Sequence, residues 1–213
     1  MNQQNDDMIL EILELGPYFV NCFIIGDSES KMGAIIDPGF DADKIISFVQ
    51  RYGLSIDKII ITHGHADHIG ALDEIRKYFK APVMIGEKDA IMLSDPAENL
   101  SGFSGERVYT DPPEKVLREG DNIEIGKYKF MVLETPGHTQ GSISLYGHGV
   151  VFTGDALFLG SIGRTDFPGS SHETLLSSIE NKLLILPDDT IVYSGHGPDT
   201  TIGQEREFNP FLS

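Results

Sequence analysis

The stretch from Lys58 to Leu72, K-I-I-I-T-H-G-H-A-D-H-I-G-A-L, places His63, His65, Asp67 and His68 within six residues. Imidazole and carboxylate are the donors that zinc and iron accept. Gly64 and Ala66 are small and let the chain turn tightly around an ion. A single His at a strand end is commonly capped or solvated, and an Asp such as Asp67 can serve the first turn of a helix. Three imidazoles and a carboxylate on one turn exceed what those roles need. The turn does not close a metal cage alone, so further ligands must come from elsewhere.

Three other stretches share one design, a strand that ends in Gly beside a donor. V-L-E-T-P-G-H delivers His138, V-V-F-T-G-D delivers Asp155 and I-V-Y-S-G-H delivers His196. Glycine permits a sharp backbone turn and a close approach to an ion. Of seven histidines, five stand in such contexts, whereas His148 in a hairpin turn and His172 near a helix start read as surface residues. Seven candidate donors suffice for two metal sites that share a carboxylate. Two metals about 3.5–4 Å apart can hold hydroxide between them and polarise a substrate oxygen.

The elements that carry these donors follow from periodicity and punctuation. Residues 8–15 and 18–25 read as strands joined at Gly16-Pro17, and 33–37 as a third strand stopped by Pro38-Gly39. Apolar positions Ile45, Ile46, Phe48, Val49 and Tyr52 predict a helix over 41–52, ended by Gly53. Ile59 to Thr62 reads as a buried strand, and Ile69, Leu72, Ile75 and Tyr78 as one helix after it. V-M-I at 83–85 is a strand, and Asp89 to Leu93 a short helix. Short strands run through 115–153, with Gly147-His148-Gly149 as a hairpin turn. Ser170-Ser171 could cap a helix reaching Leu184, and 190–194 is the last strand. Residues 94–113, rich in Ser, Gly, Pro and Asp, form a long loop: a flap beside the site or a plain surface loop. The order of elements predicts two sheets packed face to face with helices outside.

The 213 residues fit one domain over 1–213. A net charge of −17, from 33 acidic and 16 basic residues, opposes binding to nucleic acid or to anionic membrane surfaces. Cys22 is the one cysteine, so no intrachain disulfide forms, and it reads as a buried, inert thiol. Neither a signal peptide nor a spanning apolar run is visible, and a cytoplasmic protein is expected.

Through T-H-G-H-A-D-H at 62–68, His138, Asp155 and His196, the chain resembles the metallo-β-lactamase-fold hydrolases from about residue 10 onward. The resemblance implies an α+β, four-layer αβ/βα sandwich of two mixed sheets, with metals at the sheet edges. It implies one metal on His63, His65 and His138, a second on Asp67, His68 and His196, and Asp155 as the bridge. Asp67 and Asp155 would also orient the attacking hydroxide. Asp155, the stretch G-D-A-L-F-L-G-S-I-G-R-T-D-F-P-G and the ending G-H-G-P-D-T-T-I-G-Q-E-R-E-F-N-P-F-L look like the glyoxalase II-like (hydroxyacylglutathione hydrolase-like), bacterial single-domain branch. The helical C-terminal part of the full-length enzymes is not expected here. Arg164 and Asp166 stand where those enzymes carry a Lys and a Tyr that contact glutathione. Arg164 could hold a substrate carboxylate or pair with Asp166.

The expected activity is hydrolysis of a small acyl thiolester such as S-lactoylglutathione, with two divalent ions as cofactors. Zinc comes first, and iron or manganese are alternatives. A second expectation is a mononuclear iron persulfide dioxygenase using His63, His138 and Asp155, since such enzymes carry a similar G-R-T-D-F stretch. A third is metal binding without turnover. Neither oligomeric state nor natural substrate follows from the sequence.

Overall fold

The computed structural model describes residues 7–103 and 107–212. β1 (Met8–Leu15), β2 (Val20–Asp27) and β3 (Met32–Ile36) form an antiparallel meander, and α1 (Ala42–Tyr52) crosses over to β4 (Ser55–Ile61), parallel to β3. After α2 (Ala66–Ile69) and α3 (Leu72–Phe79), β5 (Val83–Gly86) and β6 (Lys115–Leu117) extend the parallel half, giving the order β1-β2-β3-β4-β5-β6.

β7 (Asn122–Ile125), β8 (Tyr128–Glu134), β9 (Ile143–Gly147) and β10 (Val150–Gly154) begin the second sheet. The small hairpin β11 (Leu157–Phe158) and β12 (Ser161–Ile162) stands apart. After α4 (His172–Ser178), β13 (Ile191–Ser194) pairs parallel with β10, then β14 (Thr200–Thr201) and α5 (Ile202–Phe208) follow. The order is β14-β13-β10-β9-β8-β7.

Three apolar cores separate the layers. Strand side chains alternate between faces, so a strand covered on both sides is apolar throughout. In β2, Cys22 and Ile24 pack with Ile45, Val49, Leu72 and Ile75 of α1 and α3, while Phe23 and Ile25 face the other sheet. In β4, Ile59 and Ile61 join the helix side and Ile60 the middle. Phe130 and Phe152 meet Phe23 and Ile60 in that middle core. Full burial of each Phe contributes about 1.5–3 kcal/mol. On the far side, Val151 and Val192 pack under Leu175 and Ile179 of the α4 segment and Ile202 of α5. The result is the expected αβ/βα sandwich. Cys22 is fully buried, and burial pushes its thiol well above the usual value.

Some expectations need correction. The single helix over Ile69 to Tyr78 is broken into α2 and α3 at Gly70-Ala71. Gly70 lies so close to the Gly39 backbone that a Cβ would stand 2.2 Å from its carbonyl oxygen. Ala71 N–H bonds Pro38 O at 3.0 Å, which ties the break to the loop after β3. Tyr78, counted as part of the apolar face, is half exposed. β6 leaves the β-rich run and joins the first sheet beside β5. The helix capped by Ser171 stops at Ser178, and Ile179–Leu183 forms a wider turn closed by Leu184 N–H to Ile179 O. Four α-helical residues overshoot one turn, so the wider turn keeps Leu175, Ile179 and Leu183 in line on the core.

Candidate metal centre

The seven donors gather where strand ends of the two sheets face each other. His63 and His65 follow β4, and Asp67 and His68 lie in α2. His138 follows β8, Asp155 follows β10 and His196 follows β13. Backbone bonds join the sheets at this end: Ile143 N–H to Thr62 O at 2.9 Å and Asn21 N–H to Gly195 O at 2.7 Å. The Asn21 amide also donates to Ser194 O and Gly197 O, which pins the loop carrying His196.

Three donor groups have their ligand atoms within 4.8 Å of one another: His63, His65 and His138; His63, His68 and Asp155; and Asp67, His68 and His196. Asp155 lies between the outer two groups. Its Oδ1 is 3.4 Å from His68 Nε2, and its Oδ2 is 3.6 Å from His138 Nε2 and 3.7 Å from His196 Nε2. Asp67 Oδ2 is 3.2 Å from His196 Nε2.

The outward nitrogens are taken by acceptors, which turns the inward ones toward the centre. His138 Nδ1 donates to Arg164 O at 2.8 Å, and His196 Nδ1 donates to Tyr18 O at 3.0 Å. His68 Nδ1 lies 3.0 Å from the Asp37 carboxylate. Such partners set tautomer and ring orientation at metal sites. His63 Nε2, His68 Nε2 and Asp155 Oδ1 are buried without a hydrogen-bond partner. Orphaned buried polar atoms are costly unless something coordinates them. Three inward donors of this kind, from an N/O set that suits zinc or iron, fit divalent metal.

The local field is strong. Burial pushes His63 well below its usual value, reinforced by its His68 neighbour, and pushes His65 down to about 3. Burial would also lower His68, but Asp67, Asp155 and Asp37 outweigh it and raise this imidazole well above the usual range. Burial would raise Asp155, yet His68, His63 and His138 hold it well below the carboxylate range, and His68 with His196 lowers Asp67 likewise. Opposite charge within a few ångströms therefore wins over desolvation at both carboxylates.

Two buried carboxylates missing from the sequence reading support the donors. Asp37, at the end of β3, accepts from Thr62 N–H at 2.7 Å and the Thr62 hydroxyl at 2.6 Å besides holding His68. Its setting, a strand end followed by Pro-Gly, had the same design as the donor stretches. Asp89 accepts from Gly64 and Gly141 N–H groups and from the Thr139 hydroxyl. Nothing local marked it. Gly39 makes another close approach, since a Cβ there would stand 1.9 Å from Asp67 O. Gly39→Ala is expected to destabilise the fold by about 1–3 kcal/mol and to weaken zinc binding through a displaced Asp67. Urea unfolding and a zinc titration check this, and unchanged values for both would refute it.

A cavity of about 1130 Å³ opens over Asp67, His138, Asp155 and His196. Its walls are mainly apolar, with Tyr18, Phe40, Phe158 and Phe167 among them. Asn99, Leu100, Phe103 and Val108 bring the 94–113 loop to the cavity, and Ala66 N–H bonds Asn99 O. The loop therefore lies beside the site, as the flap reading expected. Arg164 also lines the cavity, yet its guanidinium pairs bidentately with Asp166 at 2.8 and 3.0 Å and lies over the Phe167 ring. His148 and His172 are exposed, away from the cluster, and His148 Nε2 accepts from Lys129 N–H. Among the described residues, no helix is long and apolar enough to cross a membrane.

Comparison with known proteins agrees with this geometry. A family model described as the Metallo-beta-lactamase superfamily matches residues 15–196. The chain is 40% identical over 210 residues to the hydroxyacylglutathione hydrolase GloC of Haemophilus influenzae, covering 97% of this chain and 99% of that one. Among solved structures, it is similar to the BLEG-1 B3 metallo-beta-lactamase, with TM-score 0.92, 44% identity and coverage of 96% and 100%. It is also similar to TTHA1623 in a di-iron-bound form, with TM-score 0.82, 34% identity and coverage of 95% and 100%. With a family model matched over most of its length and the donor cluster that such a fold would carry, the chain belongs to the metallo-beta-lactamase superfamily.

Proposed function

We propose that this protein hydrolyses a small acyl thiolester, S-lactoylglutathione or a close relative, at a dinuclear metal centre. His63, His65 and His138 would hold one divalent ion, Asp67, His68 and His196 the other, and Asp155 would bridge them. The observation that carries the reading is the position of Asp155, whose two oxygens face nitrogens of both groups. The 40% identity to a hydroxyacylglutathione hydrolase supports the thiolester class. The di-iron form of a similar protein supports two metals and leaves iron beside zinc as the ion. The donors come from both sheets, which supports reading residues 1–213 as one catalytic domain.

Divalent metal held by these residues would lower the pKa of bound water toward neutrality and would polarise a carbonyl oxygen. The chain's own residues do the rest. Asp67 and Asp155 present carboxylate oxygens that accept a hydrogen bond from the attacking hydroxide and orient it. The cavity walls from Tyr18, Phe40, Phe158 and Phe167 exclude water around the thiolester and hold its carbonyl near the donors. No nucleophilic side chain is needed: Cys22 is fully buried among the core residues beneath α1 and α3.

The test combines metal analysis with two assays. About two metal ions per chain together with S-lactoylglutathione hydrolysis is the expected result. One iron per chain, with oxygen consumed on glutathione persulfide and no thiolester cleaved, would replace this reading with the dioxygenase. Two tightly bound ions without turnover of any thiolester would leave a metal-binding protein instead.

A further inference from the structure

His63 and His65 leave β4 of the first sheet, whereas His138 leaves β8 of the second. The ligand atoms of this trio must stay within a few ångströms although no ladder joins their strands. Besides the Ile143 N–H to Thr62 O bond, the side chain of Asp89, in the short helical turn Glu87–Leu93 after β5, spans the gap. Its Oδ2 accepts from Gly64 N–H at 3.1 Å and from the Thr139 hydroxyl at 2.6 Å. Its Oδ1 accepts from Gly141 N–H at 2.7 Å. One oxygen thus grips the residue between His63 and His65 and the residue next to His138. The His138 loop closes tightly on it: a Cβ on Gly141 would stand 2.4 Å from Asp89 N, and one on Gly86 would stand 2.0 Å from Gly141 O.

Asp89 is 1% exposed, and among the described residues no Lys or Arg pairs with it. A buried carboxylate without a cation is expensive, and only a full set of donors offsets the cost. Three are present, one on the His63–His65 turn and two on the His138 loop. The Asp67–His68–His196 group has its own supports, Asp37 and Tyr18 O, and none of these touches Asp89.

We propose that Asp89 is a positioning residue for one half of the centre: it sets the spacing of the His63–His65 turn from the His138 loop and so preorganises that trio, but not the Asp67–His68–His196 group, for metal. The inference rests on the two-metal reading above. Asp89 touches no metal or substrate, so its effect belongs in metal affinity.

The experiment titrates zinc into metal-free protein against a chelator and counts bound zinc by mass spectrometry. His65→Ala and His196→Ala variants identify which binding step belongs to which group. Asp89→Asn keeps the shape but puts an N–H group where a donor-facing oxygen stood. It is expected to weaken the His63–His65–His138 step by about 10–100-fold and to leave the other step unchanged. Thr139→Val removes only one donor and is expected to move the same step in the same direction by less, which covers the case in which Asp89→Asn does not fold. Both steps unchanged in Thr139→Val and in a folded Asp89→Asn, or both steps weakened equally alongside a lower Tm of the metal-free protein, would overturn the inference. Wild-type protein that binds fewer than two zinc ions would instead overturn the two-metal reading, and the inference with it.

Discussion

Asp155→Ala is expected to lose metal from both halves of the centre and to lower thiolester hydrolysis by at least about a thousandfold. The size follows from hydroxide supply: metal held there would lower the pKa of bound water, and without it little hydroxide would remain at neutral pH. Loss at both halves follows from geometry: Asp155 Oδ1 faces His68, while Oδ2 faces His138 and His196. Its charge is held by the His68, His63 and His138 environment against the pull of burial. Removing it leaves clustered imidazoles with less negative charge to balance divalent metal. Zinc content by mass spectrometry, kcat on S-lactoylglutathione and circular dichroism of the variant make the test. A folded Asp155→Ala protein that keeps two metals and full activity would show that Asp155 is not the bridge. A variant that keeps one metal would assign it to one half alone.

The second large effect is expected at Asp37, which touches neither substrate nor any direct metal position. Its carboxylate and the His68 ring are both fully buried, 3.0 Å apart, and its other bonds go to Thr62 N–H and the Thr62 hydroxyl. Asp37→Ala removes the acceptor from Thr62 N–H and the His68 ring, and leaves the Thr62 hydroxyl only its 3.3 Å contact with His63 Nδ1. Breaking a buried charged pair by removing one member costs about 3–5 kcal/mol. Asp37→Asn retains one acceptor oxygen and should cost less. Urea unfolding of the metal-free protein measures the loss, read as a lower midpoint at constant slope. The same variants should release the ion held by the His68 group more readily, because Asp37 sets the direction of the His68 ring. A cost below about 1 kcal/mol for Asp37→Ala would mean that water or a rearranged core replaces the carboxylate.

Asp37 and Asp89 also mark where reading the sequence stopped. Five of the seven donors stood out because each follows a strand end beside a small residue, and Asp67 and His68 because they come within three residues of His65, all of them local patterns. Asp37 shares the strand-end setting but bonds Thr62, 25 positions away, and Asp89 bonds Gly141, 52 positions away, so the partners that give them meaning lie far along the chain. Gly70 failed for a similar reason. The i, i+3 pattern across Ile69, Leu72 and Ile75 is genuine, and all three are buried, but contact with Gly39 breaks the helix between them. β6 reads as part of a β-rich run, and only its parallel partner β5 assigns it to the first sheet. Arg164 was open between a substrate carboxylate and Asp166. The geometry pairs it with Asp166 while its carbonyl orients His138, a backbone contribution that no side-chain pattern could reveal.

The amino-acid order alone pointed to the metal-donor set and the layers. Five imidazoles and two carboxylates at strand ends and the helix start after β4 make an N/O metal set, and apolar strands covered on both faces require helices outside two sheets. How those donors divide was decided by folding. Ligand grouping depends on distances between side chains from different sheets and on ring orientations set by Arg164 O, Tyr18 O and Asp37. Local residue patterns carry periodicity along one strand or helix, whereas the approach of β4 to β8 and of β2 to the His196 loop is a property of the packed sheets. For that reason His63, His65, Asp67 and His68 began as one six-residue cluster and end in three overlapping donor groups that draw in His138, Asp155 and His196.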